Sequence, residues 1–234
     1  MKATLAQKVW FDALGPGVER ILLVSPHADD ETIGAGGLLA LAVSMGVKVR
    51  VEVVATPHND YREKELDAAM KELGVTDYRV MHRGFECRMD ATPQMDLIME
   101  LDRIQSDFKP DLLLLPAPSH HQDHQFVFNA GFASARQSLN PDKFFTRIVA
   151  LYDYPPLQWS LEPFNPNWWV DISEVIEQKA RAFSAYKSQS YPKGWANGEG
   201  VKAYAQSVGT FANIPYAEKF RILRCISGAT GGAK

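Results

Sequence analysis

Along the first two thirds of the chain, compact apolar runs alternate with longer amphipathic stretches. The runs "ILLVS" (21–25), "VKVRVEVVAT" (47–56), "YRVMH" (78–82), "DLLLLPAP" (111–118) and "RIVALYDY" (147–154) are rich in leucine or β-branched residues and read as strands. The run at 111–118 is almost continuous, as expected of a parallel strand covered on both faces. Between these runs, "IGAGGLLALAVSMG" (33–46), "NDYREKELDAAMKELG" (59–74), "MDLIMELDRIQSDF" (95–108) and "FVFNAGFASARQSL" (126–139) read as helices. Asp60 and Glu63 have capping-box spacing, and Gly74 sits where a helix C-cap belongs. Past residue 155 the pattern changes. "YPPLQWSLEPFNPNWW" (154–169) reads as an extended loop, "VDIS" (170–173) as a short strand or the start of a helix, and "EVIEQKARAFSAYKSQ" (174–189) as a helix. A helix near 199–209 and "YAEKFRILRC" (216–225), whose end reads as a strand, complete the chain.

Strand and helix in alternation predict a Rossmann-like, doubly wound, mostly parallel α/β sheet with a C-terminal helical and β elaboration. The expected organisation is a single domain over 1–234, with a core of about 20–155 and the elaboration over about 156–234. In such sheets, ligands bind outside the carboxyl ends of the strands. The residues just after each strand therefore matter. They are His27, Asp29 and Asp30, then His58, His82 and the stretch "SHHQDH". Five of the six histidines lie at or just after these strand ends, and the sixth, His120, adjoins one of them.

Charge and cysteine content narrow the classes. A net charge of -3 offers no basic track for nucleic acid and no polybasic membrane signal. Two cysteines, Cys87 and Cys225, make no disulfide framework, and a reducing cytoplasm is the expected compartment. No apolar run has the length of a signal peptide or of the roughly 18 residues of a membrane span.

The stretch "LLVSPHADDETIGAGG" (22–37) sets three carboxylates side by side after an apolar run. Such crowding is tolerable beside a cation. His27 and Asp30 can converge on one divalent ion, with Asp29 next to it as a general base for metal water. An acidic loop that merely caps the following helix is the other reading. In "SHHQDHQ" (119–125), His121 and His124 share a face if a helix begins there. Asp123 is placed to orient His121. Together the two clusters offer three ligands and an open fourth position, the pattern of catalytic rather than structural zinc. "GAGG" (34–37) lacks the spacing of a phosphate loop and reads as close helix-to-sheet packing. Cys87 reads as a small packed residue or an idle thiol, and Trp159, Trp168 and Trp169 as an interface or core plug, or else a sugar platform.

"PHADDE" (26–31) and "HQDH" (121–124) resemble the paired motifs of the zinc-dependent de-N-acetylases known as the PIG-L or LmbE-like family. Arg62, Glu65, Ala69 and "LG" (73–74) resemble its second-helix pattern; "VDIS", Lys179, "SQ" (188–189) and "YAEKF" (216–220) resemble its C-terminal pattern. The likeness runs from about residue 20 to 222. It implies one zinc per chain held by His27, Asp30 and His124. It also implies Asp29 as the base, His121 on the oxyanion and the leaving amine with Asp123 behind it, and Arg62 on the substrate. Ala28 and Gln122 replace the usual prolines, and Ser119 stands where some members carry a tyrosine. The implied function is removal of acetyl from an N-acetylated amino sugar, such as an N-acetylglucosamine derivative, or a related small metabolite, with assembly into a homo-oligomer. The alternatives are a metallohydrolase of another amide or ester and a metal-binding module without turnover.

Overall fold

The computed structural model describes residues 18–140, 143–155 and 163–226. β1 (Arg20–Ser25), β2 (Lys48–Thr56), β3 (Asp77–Arg83), β4 (Leu112–Pro116) and β5 (Ile148–Tyr152) pair in parallel in the order β3-β2-β1-β4-β5. The sheet continues without interruption into β7 (Ala217–Cys225) and then β6 (Trp168–Asp171), both antiparallel pairings. The C-terminal elaboration is thus sheet as well as helix, and the last strand lies inside it. Trp168 and Trp169, expected in a loop, open β6, and the Trp168 ring packs on Phe220. Trp159 lies outside the described residues.

The period-2 alternation of each strand divides the core in two. Ile21, Leu23, Val51, Val53, Leu112, Leu114 and Ala150 face one layer of helices: α1 (Asp30–Ser44), α2 (Asp60–Leu73), α5 (Ile176–Ser184) and α6 (Gly198–Ala212). Leu22, Val24, Leu113, Leu115, Val149 and Leu151 face the other, α3 (Gln94–Phe108) and α4 (Gln122–Ser134). A strand buried on both sides has no polar face, which is why β4 reads "LLLLP" with every residue buried.

Three helix starts differ from the sequence reading, each for a local reason. α1 begins at Asp30 because the backbone carbonyl of Asp29 accepts from Thr32 and Ile33. α2 is capped by Asn59, whose side chain accepts from the N–H groups of Tyr61 and Arg62, so Asp60 is already helical. α4 begins at Gln122, four residues earlier than its apolar pattern, because the His121 imidazole caps it. Gly74 takes the left-handed C-cap conformation, φ 76°.

α1 sits close against the sheet and β7. A Cβ at Gly34 would lie 2.2 Å from the Tyr152 ring, and one at Gly37 would lie 2.6 Å from Ile172. Beside Gly37, a buried ion pair enters the helix. Glu218 accepts from the N–H groups of Gly37 (2.7 Å) and Leu38 (2.8 Å), and Lys179 Nζ donates to Ile33 O and Glu218, both at 2.7 Å. Side chains inserted in the backbone ladder fix where a helix bends and against what. Lys179→Met would leave the Glu218 carboxylate buried without its counter-charge. We expect a loss of about 3–5 kcal/mol, measured as a lower urea midpoint at unchanged slope.

Candidate metal centre and active site

β1 and β4 are neighbours whose onward connections leave in opposite directions, the switch point at which open α/β sheets bind ligands. The motif after β1 and the motif after β4 therefore meet. His27 and Asp30 come from the first, and His121, Asp123 and His124 from the second. The three imidazole rings lie 4.7–5.4 Å apart between centroids.

Asp30 Oδ2 stands 3.2 Å from His27 Nδ1 and 3.2 Å from His124 Nε2. The edge of a tetrahedron with zinc-nitrogen bonds is about 3.3 Å, so this donor set fits one divalent ion. All three donors lie within 4.8 Å of one another, and all three residues are buried. Burial disfavours the Asp30 anion, yet His124 and His27 hold its carboxyl far below the usual range. Burial also opposes charge on His27, but the carboxylates of Asp123 and Asp30 prevail and raise it. A buried cluster with this polarity suits a cation.

A second grouping, His27 with His121 and Asp123, lies on the other edge of the His27 ring. Asp123 is already occupied there. It bonds His27 Nε2 (2.9 Å) and accepts from the backbone N–H groups of Cys87 (2.6 Å) and Met89 (3.1 Å). This is the geometry of a carboxylate that fixes the tautomer of a metal-binding histidine. The expectation that Asp123 orients His121 is thus corrected: its carboxylate contacts His27. The reason is that helix α4 starts at once, which turns the Asp123 side chain toward β1 and the loop after β3.

His121 is positioned by backbone instead. Its Nδ1 accepts from the Asp123 N–H at 3.2 Å, so the ring proton sits on Nε2. Burial, with His27 and His124 beside it, lowers its pKa. The result is a neutral imidazole that presents an N–H to the pocket. Asp29 has φ 149° and ψ -34°, a conformation that costs a non-glycine residue about 1–3 kcal/mol. Its N–H donates to Glu31 Oε2 at 3.0 Å. Among the described residues, nothing hydrogen-bonds its carboxylate. Burial, reinforced by Asp30 and Glu31 and opposed by Arg62 and His27, pushes that carboxyl well above its usual range. Glu31, the third acid, is fully buried and bonded to Tyr186 Oη (2.5 Å) and Thr32 Oγ1 (2.7 Å).

Arg62 lines the pocket but is only 6% exposed. Its Nη1 donates to Ala28 O at 3.0 Å, and its other nitrogens lie 3.7 Å from Glu65 and 3.8 Å from Glu86. Glu65 in turn accepts from the N–H and hydroxyl of Ser188. The guanidinium thus clamps the first motif as well as facing the cavity. His58 and His120 are exposed, and His82 pairs with Glu100; none of them lines the pocket.

The pocket holds about 350 Å³. Sequence reasoning missed several of its walls. Cys87 is exposed, not packed: it has φ 61° and its Sγ lies 3.6 Å from His121 Nε2. Tyr154 lies with its ring 4.9 Å from that of His124 and its hydroxyl donating to Ser119 Oγ. Tyr154 follows β5 directly, so the strand-end rule reaches it once aromatic residues are counted. Phe183, Gln189, Tyr191 and Trp195 also line the cavity; Gln189 belongs to the "SQ" of the C-terminal pattern, and no local pattern marks the other three.

Residues 22–135 match the family described as PIG-L, GlcNAc-PI de-N-acetylase. A probable N-acetyl-α-D-glucosaminyl L-malate deacetylase of Bacillus cereus is 27% identical over 191 residues, 73% of this chain and 83% of its own. The diacetylchitobiose deacetylase of Thermococcus kodakarensis is 24% identical over 226 residues, 88% and 84% of the two chains. The crystal structure of a 4-carboxy-2-hydroxymuconate hydratase from Pseudomonas putida superposes with a TM-score of 0.74 at 18% identity, covering 88% of this chain and 96% of the other. At that identity the likeness is one of fold.

Asp123→Ala removes the partner of His27 Nε2 but none of the three converging donors. Zinc affinity, measured by competition with a chromogenic chelator, should fall about 10- to 100-fold. His124→Ala should lose most of the metal. Unchanged affinity in Asp123→Ala would put that carboxylate outside the metal site.

Proposed function

The chain belongs to the PIG-L family of de-N-acetylases, and from that premise we propose that it is a zinc-dependent hydrolase that removes acetyl from an N-acetylated amino sugar. The observation that supports the reading most is that an unbonded Asp29 carboxylate and the Nε2–H of His121 line the same cavity as the His27, Asp30 and His124 cluster. His27 Nδ1, Asp30 Oδ2 and His124 Nε2 would hold the ion. When bound, zinc would polarise the acetyl carbonyl and lower the pKa of water.

The protein's own groups divide the remaining work. An amide is a poor electrophile and an amine a poor leaving group, so the reaction needs a base, charge stabilisation at oxygen and a proton for nitrogen. Asp29 accepts the proton of the attacking water on a carboxylate oxygen. Its raised pKa makes it the stronger base, and its backbone strain is consistent with a position held for function. His121 donates Nε2–H to the acetyl oxygen as negative charge develops there. Because Nδ1 is tied to the helix start, the donating nitrogen is fixed before substrate arrives. The proton returns to the departing amine as the carbon–nitrogen bond breaks, giving acetate and the free amino sugar. Arg62 holds the Ala28 carbonyl and offers its cavity-facing edge to a substrate hydroxyl. His121 and Asp29 both face the cavity, which does not fit a module that only stores metal.

Among the described residues no helix is long and apolar enough to cross a membrane. The substrate in this reading is a small molecule. Acetate release should be seen with N-acetylglucosamine or a simple derivative, stop on chelation and return with zinc. Asp29→Asn should retain zinc and lose about 10²- to 10⁴-fold in rate. His121→Ala should lower kcat more than it raises KM, since its hydrogen bond strengthens in the transition state. Loss of zinc from Asp29→Asn would make Asp29 a ligand. No acetate from a broad panel of N-acetyl sugars, with zinc in place, would overturn the reading.

A further inference from the structure

We propose that Tyr191 and Trp195, in the loop joining α5 to α6, form a stacking platform at the mouth of the pocket. That platform would select substrates whose portion beyond the acetylated sugar is an uncharged ring. The inference rests on the deacetylase reading and deepens it.

The pocket lining is of two kinds. One is the histidines and acids with Arg62. The other is apolar and aromatic: Ile33, Tyr154, Phe183, Tyr191, Trp195 and Ala196. A volume of about 350 Å³ lies at the small end of ligand pockets, which span roughly 300–1,000 Å³. Any group attached to a sugar bound inside must therefore emerge past the rim. Tyr191 is 62% exposed and Trp195 38%, so both keep aromatic surface uncovered where that group would emerge. Aromatic rings gain from a flat apolar partner through burial and stacking.

The loop that presents them is built, not loose. Asn197 is the clamp. Its Nδ2 donates to the carbonyls of Tyr191 and Gly194, both at 3.0 Å, and its Oδ1 accepts from Gly200 N–H as the cap of α6. The Tyr191 N–H donates to Ala196 O at 2.7 Å, closing the loop on itself. Gly194 takes φ 108°, which only glycine adopts without strain. A Cβ at Gly200 would lie 2.1 Å from Trp195 O, so a glycine there lets the Trp195 backbone rest on the first turn of α6. Stacking sites bind better when their geometry is fixed in advance, because less conformational entropy is lost.

Charge points the same way. Among the described residues lining the pocket, Arg62 is the one arginine or lysine, and it already faces Glu65 and Glu86. Asp29, Asp30 and Glu86 line the same cavity. Lys193 is exposed in the loop but does not line the pocket. A substrate carboxylate would find Arg62 already facing two carboxylates and no lysine among the described residues lining the pocket.

The test compares three compounds on the zinc-loaded enzyme: N-acetylglucosamine, its phenyl glycoside and its carboxymethyl glycoside. We expect kcat/KM to be highest for the phenyl glycoside and lowest for the carboxymethyl glycoside. Trp195→Ala and Tyr191→Ala should each reduce the preference for phenyl glycoside over free sugar by about two- to tenfold, mainly through KM. Trp195→Phe should restore most of it, which a merely structural role would not require. Thermal melting of each variant checks that the fold is kept. A preference that survives both alanine variants, or a carboxymethyl glycoside turned over best, would overturn the platform while leaving the deacetylase reading intact. No acetate from any of the three would remove that reading and the platform with it.

Discussion

Three adjacent carboxylates where the loop after β1 enters α1 are the constraint around which the molecule is arranged. In water Asp29, Asp30 and Glu31 would simply repel; in a largely buried cluster each needs its own environment. Asp30 is settled by two imidazoles, one from its own motif and one from α4. Glu31 is settled by the hydroxyls of Tyr186 and Thr32. Asp29 alone keeps an unbonded carboxylate, and its raised pKa follows from burial, with Asp30 and Glu31 adding to it. Identical chemistry at three successive positions thus yields three distinct behaviours, and the partners that impose them come from α4, the end of α5 and the loop itself.

Much of this was legible in the sequence. The strands up to β5 and their parallel pairing follow from the alternating runs, because strands buried on both faces have no polar positions and parallel strands need helical crossovers. The meeting of "PHADDE" with "HQDH" follows from the switch-point rule. Side-chain direction did not follow. Whether Asp123 reaches His121 or His27 depends on where α4 starts, and the apolar pattern put that start four residues late. His121 serves as helix cap, a role usually filled by Ser, Thr, Asp or Asn, so composition gave no signal. The aromatic wall at Tyr191 and Trp195 was invisible for a different reason: its shape comes from one asparagine and two glycines whose effect appears only in three dimensions.

The shared fold shows how little architecture decides. A hydratase superposes on the chain over most of its length. What separates chemistries on such a scaffold lies in local sites and not in the sheet. Two residues of the C-terminal pattern, Lys179 and Glu218, do not line the pocket. Lys179, Glu218 and Tyr186 hold α1 and Glu31 from behind.

That support from behind has a temporal consequence. Glu31 is bonded to a residue 155 positions later, and Gly37 to one 181 positions later. As the polypeptide emerges from the ribosome, the first motif is made early and stays incomplete until β7 slides between β5 and β6. Contacts of such sequence separation form slowly, since a long loop must close before they reward it. A partly folded chain would therefore hold β1 to β5 paired while the acids after β1 still lacked their fastenings. The backing of the first motif is thus complete only when the last strand has joined the sheet.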